Sequence, residues 1–214
     1  MAVSFYYASG SPYAWRVWLA LERKGIPYHQ KTLSLSDGDL KTQEYGALNP
    51  RRRVPVLVDD DFVLAESAAI VEYIEDRWPN GPALFASEPR KRAIQRRLVR
   101  EADHYLADIG TRFATAPSEE TANNLSQELA LWEGAATGDY LTGDLSAVDL
   151  TVYPLMALLE RIAGRRPDFV KNDFVGPNLS AWIGRMHALP IVQHTWPPHW
   201  KEAAFGLTAR GPRT

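Results

Sequence analysis

The sequence predicts two joined fold classes, a small α/β layer followed by an all-helical region. Three observations carry this. Strand and helix signals alternate over the first eighty residues, in the order βαβ, a variable segment, then ββα. Chain breakers crowd "WPNGPALFASEP", Trp78 to Pro89, and mark a linker. Beyond it the apolar periodicities are helical, with no strand alternation of comparable strength, no repeat and no low-complexity tract. The expected domains are residues 1–80 and 89–214, with the linker at 81–88.

Each element has its own warrant. "AVSFYY" is a short buried strand. Val17, Trp18 and Leu21 then mark an apolar helical stripe that Gly25 ends, with Pro27 two residues beyond. "YHQKTLSL" alternates as a second strand, and "VPVLVDD" and "FVLAE" flank an acidic turn at Asp59 to Asp61. "SAAIVEYIEDRW" is helical, with Ile70, Ile74 and Trp78 on one side. In the second region the expected helices run over 89–113, 119–134, 148–162 and 179–189. The basic segment "RKRAIQRRLVR" reads as a solvated helix face, with Ile94, Leu98 and Ala102 on one side. Ser146 is an N-cap and Asp149, three residues on, can return the bond as in a capping box. This pair reads as a folding element without chemistry.

Composition narrows the function classes. Apolar residues are 45% and charged residues 23%, ordinary for a globular protein, and the net charge of -2 gives no reason to expect a nucleic-acid partner. "MAVSFYY" lacks the basic head and long apolar run of a signal peptide, and no apolar stretch is long enough to span a bilayer. The chain therefore reads as cytoplasmic, with no membrane partner. Cysteine is absent, which excludes disulfides, thiolate metal ligands and a protein thiol nucleophile. The five histidines show no metal-ligand spacing, so no metal is expected.

Three stretches carry chemistry. Ser11, in "SPYAWRV", stands where the first strand hands over to the first helix, and unpaired N–H groups and the helix dipole favour an anion there. Taken alone, it reads first as a helix cap. In "RRRVPVLV", Pro55 holds Val54 extended, so that the Val54 backbone can pair with a peptide-like ligand as a further strand would. In "AES", Ser67 is a candidate cap, and Glu66 beside it can bind an amino group while the helix start receives a carboxylate. Together they describe a site for a short peptide with a free α-amino acid end.

The stretches "SPYAWRVWLALERKGIPY" and "NPRRRVPVLVDDDFVLAESAAIVEYIEDRWP" resemble the cytosolic glutathione transferases, and "SAVDLTVYPLM" is similar to the capping motif of their helical domain. The likeness is strong over residues 1–80 and looser beyond, and the Ser-Pro-Tyr start is similar to the serine-type tau, theta and zeta groups. The resemblance implies a thioredoxin-like N-terminal domain, an all-α C-terminal domain and a homodimer. It implies Ser11 as the hydroxyl that donates to the glutathione sulfur, and Val54 as the partner of the cysteinyl backbone, with Pro55 as a cis-proline. Glu66 and Ser67 would hold the γ-glutamyl end, and Lys41 and Arg53 the glycyl carboxylate. Arg53 replaces a lysine that many members carry. The electrophile would meet Tyr13, His104, Tyr105, Ile109 and Phe113.

Tyr6 and Tyr7 in the first strand, and Ser9 at its end, are the rival thiolate donors. The magnitudes suit a hydroxyl. A free thiol titrates at about 8.5, and lowering that by two units needs about 2.7 kcal/mol. A hydrogen bond to a charged group contributes about 1.5–3 kcal/mol, and a helix N-terminus about 0.3–1. The expected activity is conjugation of glutathione to small, largely apolar electrophiles. Maleylacetoacetate-type isomerase, peroxidase, dehalogenase and ether-cleaving activities use the same thiolate, and a non-catalytic binding protein is the alternative outside enzymes. Zeta-like isomerases typically carry Ser-Ser-Cys where this chain has Ser11-Pro12-Tyr13.

Overall fold

The computed structural model describes residues 3–166, 168 and 175–200, which group into two units. The first contains the described residues up to Phe85 together with 191–200, and the second the described residues from Ala86 to Pro190. The division falls inside the expected linker. Residues 191–200, expected in the helical domain, group with the first unit.

The first unit is built on a four-stranded mixed sheet in the order β2-β1-β3-β4. Strand β1 (Val3–Tyr7) pairs parallel with β2 (Tyr28–Thr32) and antiparallel with β3 (Val56–Asp59), and β4 (Phe62–Ala65) is antiparallel to β3. Helix α1 (Pro12–Lys24) closes at Gly25, whose φ of 63° is left-handed and favours glycine there. Buried Lys24 bonds Glu75 at 2.5 Å and the Trp78 carbonyl at 3.0 Å, tying α1 to α3 (Ser67–Arg77). The predicted second strand stops at Thr32, short of its expected end. The segment taken as variable holds a 3-10 turn, Asp39–Lys41, and α2 (Gln43–Leu48). Only Tyr45 is buried in that stretch of helix, so the apolar stripe that signals a helix is missing.

The helical unit contains α4 (Pro89–Glu101), a π-helical turn (Ala102–Leu106) and α5 (Ala107–Thr115) where one helix over 89–113 was expected. It continues with α6 (Glu119–Ala135), α7 (Ala147–Ala163) and α8 (Pro177–His187). The buried side of α4 carries Gln95 and Val99, while Ile94 is exposed, so the predicted stripe is displaced by one residue. Gln95 accounts for this: it is polar, yet it is buried because it bonds the Ala86 N–H and the Thr142 hydroxyl. The Ser146–Asp149 capping box forms in both directions. The Asp149 carboxylate also accepts from the Leu141 N–H and from the Trp182 indole, each at 2.9 Å. Helix α9 (Pro190–Thr195) has no forerunner in the sequence reading, and from Ile191 on it packs in the first unit.

Candidate active site

The pairing register brings the three predicted stretches to one end of the sheet. Tyr6 stands opposite Val56, so continuing the antiparallel register sets Val54 beside Ala8, three residues before Ser11. Val56 stands opposite Ala65, which brings Glu66 to the same end. Helices α1 and α3 both begin there, and each presents N-terminal N–H groups to whatever occupies it.

Ser11 is the N-cap of α1. A turn precedes it, closed by the Ser11 N–H on the Ala8 carbonyl at 3.1 Å, with Gly10 at φ 84° in its third position. The Ser11 Oγ accepts the Ala14 N–H at 3.3 Å. Cap and donor are therefore compatible roles: accepting occupies a lone pair, and the hydroxyl proton stays available to a sulfur.

The Val54–Pro55 peptide is cis. Among the described residues, neither backbone group of Val54 has a hydrogen-bond partner. The segment leading to it is fixed from below, since the Arg53 carbonyl accepts from the Tyr45 hydroxyl and the Asn49 amide, both at 2.7 Å. Burial pushes the Tyr45 hydroxyl up to about 12, so it stays a donor at neutral pH. Arg53 and Lys41 have exposed side chains. Arg52, which the sequence reading passed over, adopts φ 54° and bonds the carbonyls of Leu40 and Thr42. It thereby ties the segment carrying Lys41 to the segment carrying Val54.

Glu66, not Ser67, occupies the N-cap position of α3. Its backbone lies at φ 70°, ψ 105°, a conformation costly for a residue with a side chain and held only where the surroundings impose it. That conformation leaves the Glu66 carboxylate exposed without capping its own helix. Ser67 is the first helical residue and is buried.

The rival donors lie on β1 or in the turn after it, not at the start of α1. Tyr7 is buried, its ring 5.1 Å from that of Trp18 and its hydroxyl accepting from Thr32. Tyr6 points to the opposite face and lies 6.2 Å from the ring of Tyr45. The Ser9 hydroxyl pairs with His199 Nδ1 at 3.1 Å. Two further residues escaped the sequence reading. Arg16 is buried on α1 with its guanidinium 5.2 Å from the ring of Tyr13, and its signal was a lone charge within "AWRVWLAL". His199 lies in the aromatic tail "HTWPPHW", His194 to Trp200, which reads in sequence as a segment that covers a pocket or packs against it, with no role assigned to this histidine.

In the helical unit a cavity of about 550 Å³ is lined by His104, Tyr105 and Ile109, with Asp108, Arg112 and Gln127 adding polar groups. His104 and Tyr105 sit on the π-helical turn. Phe113 is corrected: it is fully buried and belongs to the core. It shares a face with Gly110, where α5 approaches Leu159 of α7 so closely that an added Cβ would lie 2.8 Å from Leu159 Cδ2. Tyr13, on the first turn of α1, is exposed. Among the described residues no histidine or acidic cluster is arranged to hold a metal, and no helix is long and apolar enough to cross a membrane.

A mixed four-stranded sheet with a cis-proline at the end where two helices begin defines a thioredoxin-like fold. A family model described as "Glutathione S-transferase, N-terminal domain" matches residues 10–77. The chain is 30% identical to glutathione S-transferase A of the plaice Pleuronectes platessa, covering 94% of this chain and 93% of that one. It is 43% identical to a maleylacetoacetate isomerase of Pseudomonas aeruginosa over 45% of each. A tau class transferase from mango superposes with a TM-score of 0.83 at 26% identity, covering 94% and 96% of the two chains. This chain belongs to the glutathione S-transferase family, and it is an enzyme of that family.

Proposed function

We propose that the enzyme ionises bound glutathione through the Ser11 hydroxyl and conjugates the thiolate to small electrophiles. The observation that carries this is the geometry of Ser11, an N-cap whose oxygen is held by the Ala14 N–H and whose proton remains free to donate. Val54 offers its backbone to the cysteinyl residue of the tripeptide. Glu66 and Ser67 receive the γ-glutamyl end at the start of α3, and Lys41 and Arg53 receive the glycyl carboxylate. Pro55 keeps Val54 in place. For the electrophile we put forward Tyr13, His104, Tyr105 and Ile109. The polar groups around the last three suit an electrophile that carries a hydrogen-bonding group beside its apolar body.

A homodimer completes the proposal, supported by exposed Phe62 and Val63 on edge strand β4, and sedimentation reads it directly. A cytoplasmic location follows from the same reading of the chain. A second use of the thiolate, isomerisation of maleylacetoacetate-type substrates, is favoured by the likeness to the Pseudomonas isomerase.

The test is a pH titration of the thiolate ultraviolet band of bound glutathione. The wild type is expected to show a lowered thiol pKa that rises by one to two units in Ser11→Ala, about a ten- to hundredfold loss of thiolate below the wild-type midpoint. An unshifted thiol in the wild type, or a shift that survives the substitution, refutes the role of Ser11. A panel of conjugation and isomerisation substrates then separates the two uses.

A further inference from the structure

The turn that aims Ser11 is covered by a segment 190 residues away in sequence. His199 Nδ1 lies 3.1 Å from Ser9 Oγ, and the imidazole rests on Gly10. A Cβ built on Gly10 would come within 3.1 Å of His199 Cε1, His199 Nε2 and Trp200 Nε1. The covering segment is itself anchored to α1. The Trp15 indole donates to Thr195 Oγ1 at 2.7 Å in a buried bond. The rings of Trp15, Trp196 and Trp200 meet edge to face, with centroids 5.4 to 5.9 Å apart. Thr195 and Trp200 are buried, so His199 is delivered to the turn on a fixed support.

We infer that His199 is a positioning residue for Ser11: its bond to Ser9 and its ring on Gly10 fix the turn from Ala8 to Ser11, and so the direction in which the Ser11 hydroxyl points. The inference rests on the proposed role of Ser11. The physical reason is that Gly10 has no side chain of its own to restrict the turn, and a donor bond to sulfur weakens steeply with misalignment. Ser11 is held on one side by α1, through Ala14 and Trp15, and on the other by its own N–H on the Ala8 carbonyl. The side before it is set by the turn, and His199 and Trp200 press on that turn from outside.

The experiment compares wild type, His199→Ala, His199→Asn, Ser9→Ala and the Ser9→Ala/His199→Ala double variant, each with bound glutathione. The readouts are the thiol titration and the pH profile of kcat/KM. Expected for His199→Ala is a rise of about half a unit in the thiol pKa. That corresponds to a threefold loss of thiolate and of kcat/KM below the midpoint, disappearing at alkaline pH where the thiol is ionised regardless. The glutathione Kd stays within twofold. His199→Asn, whose side-chain amide can reach the position of Nδ1, restores most of the effect. Ser9→Ala reproduces it, and the double variant adds nothing further.

A purely structural role predicts a different pattern, with lower thermal stability, weaker glutathione binding and a rate lost equally at every pH. That result overturns the inference, as does an unchanged thiol pKa in both single variants. Ser9→Ala keeps the test decisive should His199→Ala fail to fold. If Ser11→Ala raises the thiol pKa and neither His199→Ala nor Ser9→Ala does, this inference falls and the role of Ser11 stands. If Ser11→Ala raises nothing, both fall.

Discussion

Replacing Glu160 with glutamine is expected to stabilise the protein, and to do so more strongly as pH rises. Glu160 lies near the C-terminal end of α7, where the helix dipole disfavours negative charge. It is buried, and among the described residues neither carboxyl oxygen has a hydrogen-bond partner. Burial pushes its pKa from an ordinary 4.5 up to about 8. The sign follows from linkage. Between those two values the unfolded chain has released the proton and the folded chain retains it, so stability falls as pH rises. Below pH 4.5 both states hold the proton, and above pH 8 both have lost it.

At about 1.36 kcal/mol per pH unit, the cost reaches on the order of 3 kcal/mol at pH 7 and on the order of 4 kcal/mol at pH 8, where the folded group is itself half ionised. Glu160→Gln keeps the shape and removes the proton equilibrium. The assay is urea unfolding of both proteins at pH 5, 6, 7 and 8, read as the difference between them. Burial of His187 lowers its pKa and burial of Asp149 raises its own, but both are common to the two proteins and cancel in the difference. The stability gap should widen by several kcal/mol from pH 5 to pH 8. A gap that stays constant across that range would show that Glu160 is ionised throughout, and would sink the reasoning.

Asp149→Ala removes the acceptor for the Leu141 and Ser146 N–H groups and for the Trp182 indole, leaving buried donors unpaired. The expected loss is about 3–5 kcal/mol by chemical denaturation, with the first unit's contacts untouched. Gly10→Ala places a side chain at φ 84° and against His199 and Trp200. A cost of about 2 kcal/mol in thermal unfolding is expected, together with a raised thiol pKa for bound glutathione.

What could be read from the sequence divides by range. The cap at Ser11, the stop at Gly25, the strands around Asp60 and the capping box at Ser146 are each set within a few residues, and each was predicted in place. The three stretches that meet at one end of the sheet stand out in sequence because helix starts and the residue before a proline carry their own chemistry. Errors arose where distant partners decide. Gln95 is buried for Thr142, 47 residues on, which moved the face of α4 away from Ile94. Phe113 joined the core because Gly110 lets α5 close on Leu159. Glu66 took the cap from Ser67 through a backbone conformation that no local preference favours. His199 reaches the turn through the packing of Trp15 on Trp196 and Trp200 and through its bond to Ser9, 190 residues away in sequence, so no local pattern encodes it.

The grouping of residues 191–200 with the first unit has a consequence for biosynthesis. A ribosome adding about 5–20 residues per second emits the strands and helices of that unit early, but Trp15 then waits for Thr195 while the whole helical unit is made. During that interval an indole N–H and an apolar ring destined for burial face the solvent or a chaperone. The helices of the second unit, all before residue 191 among the described residues, can pack first. The turn carrying Ser11 would thus acquire its outer support only after the helical unit has been made, so nascent chains stalled before residue 195 should hold the sheet with that turn uncovered.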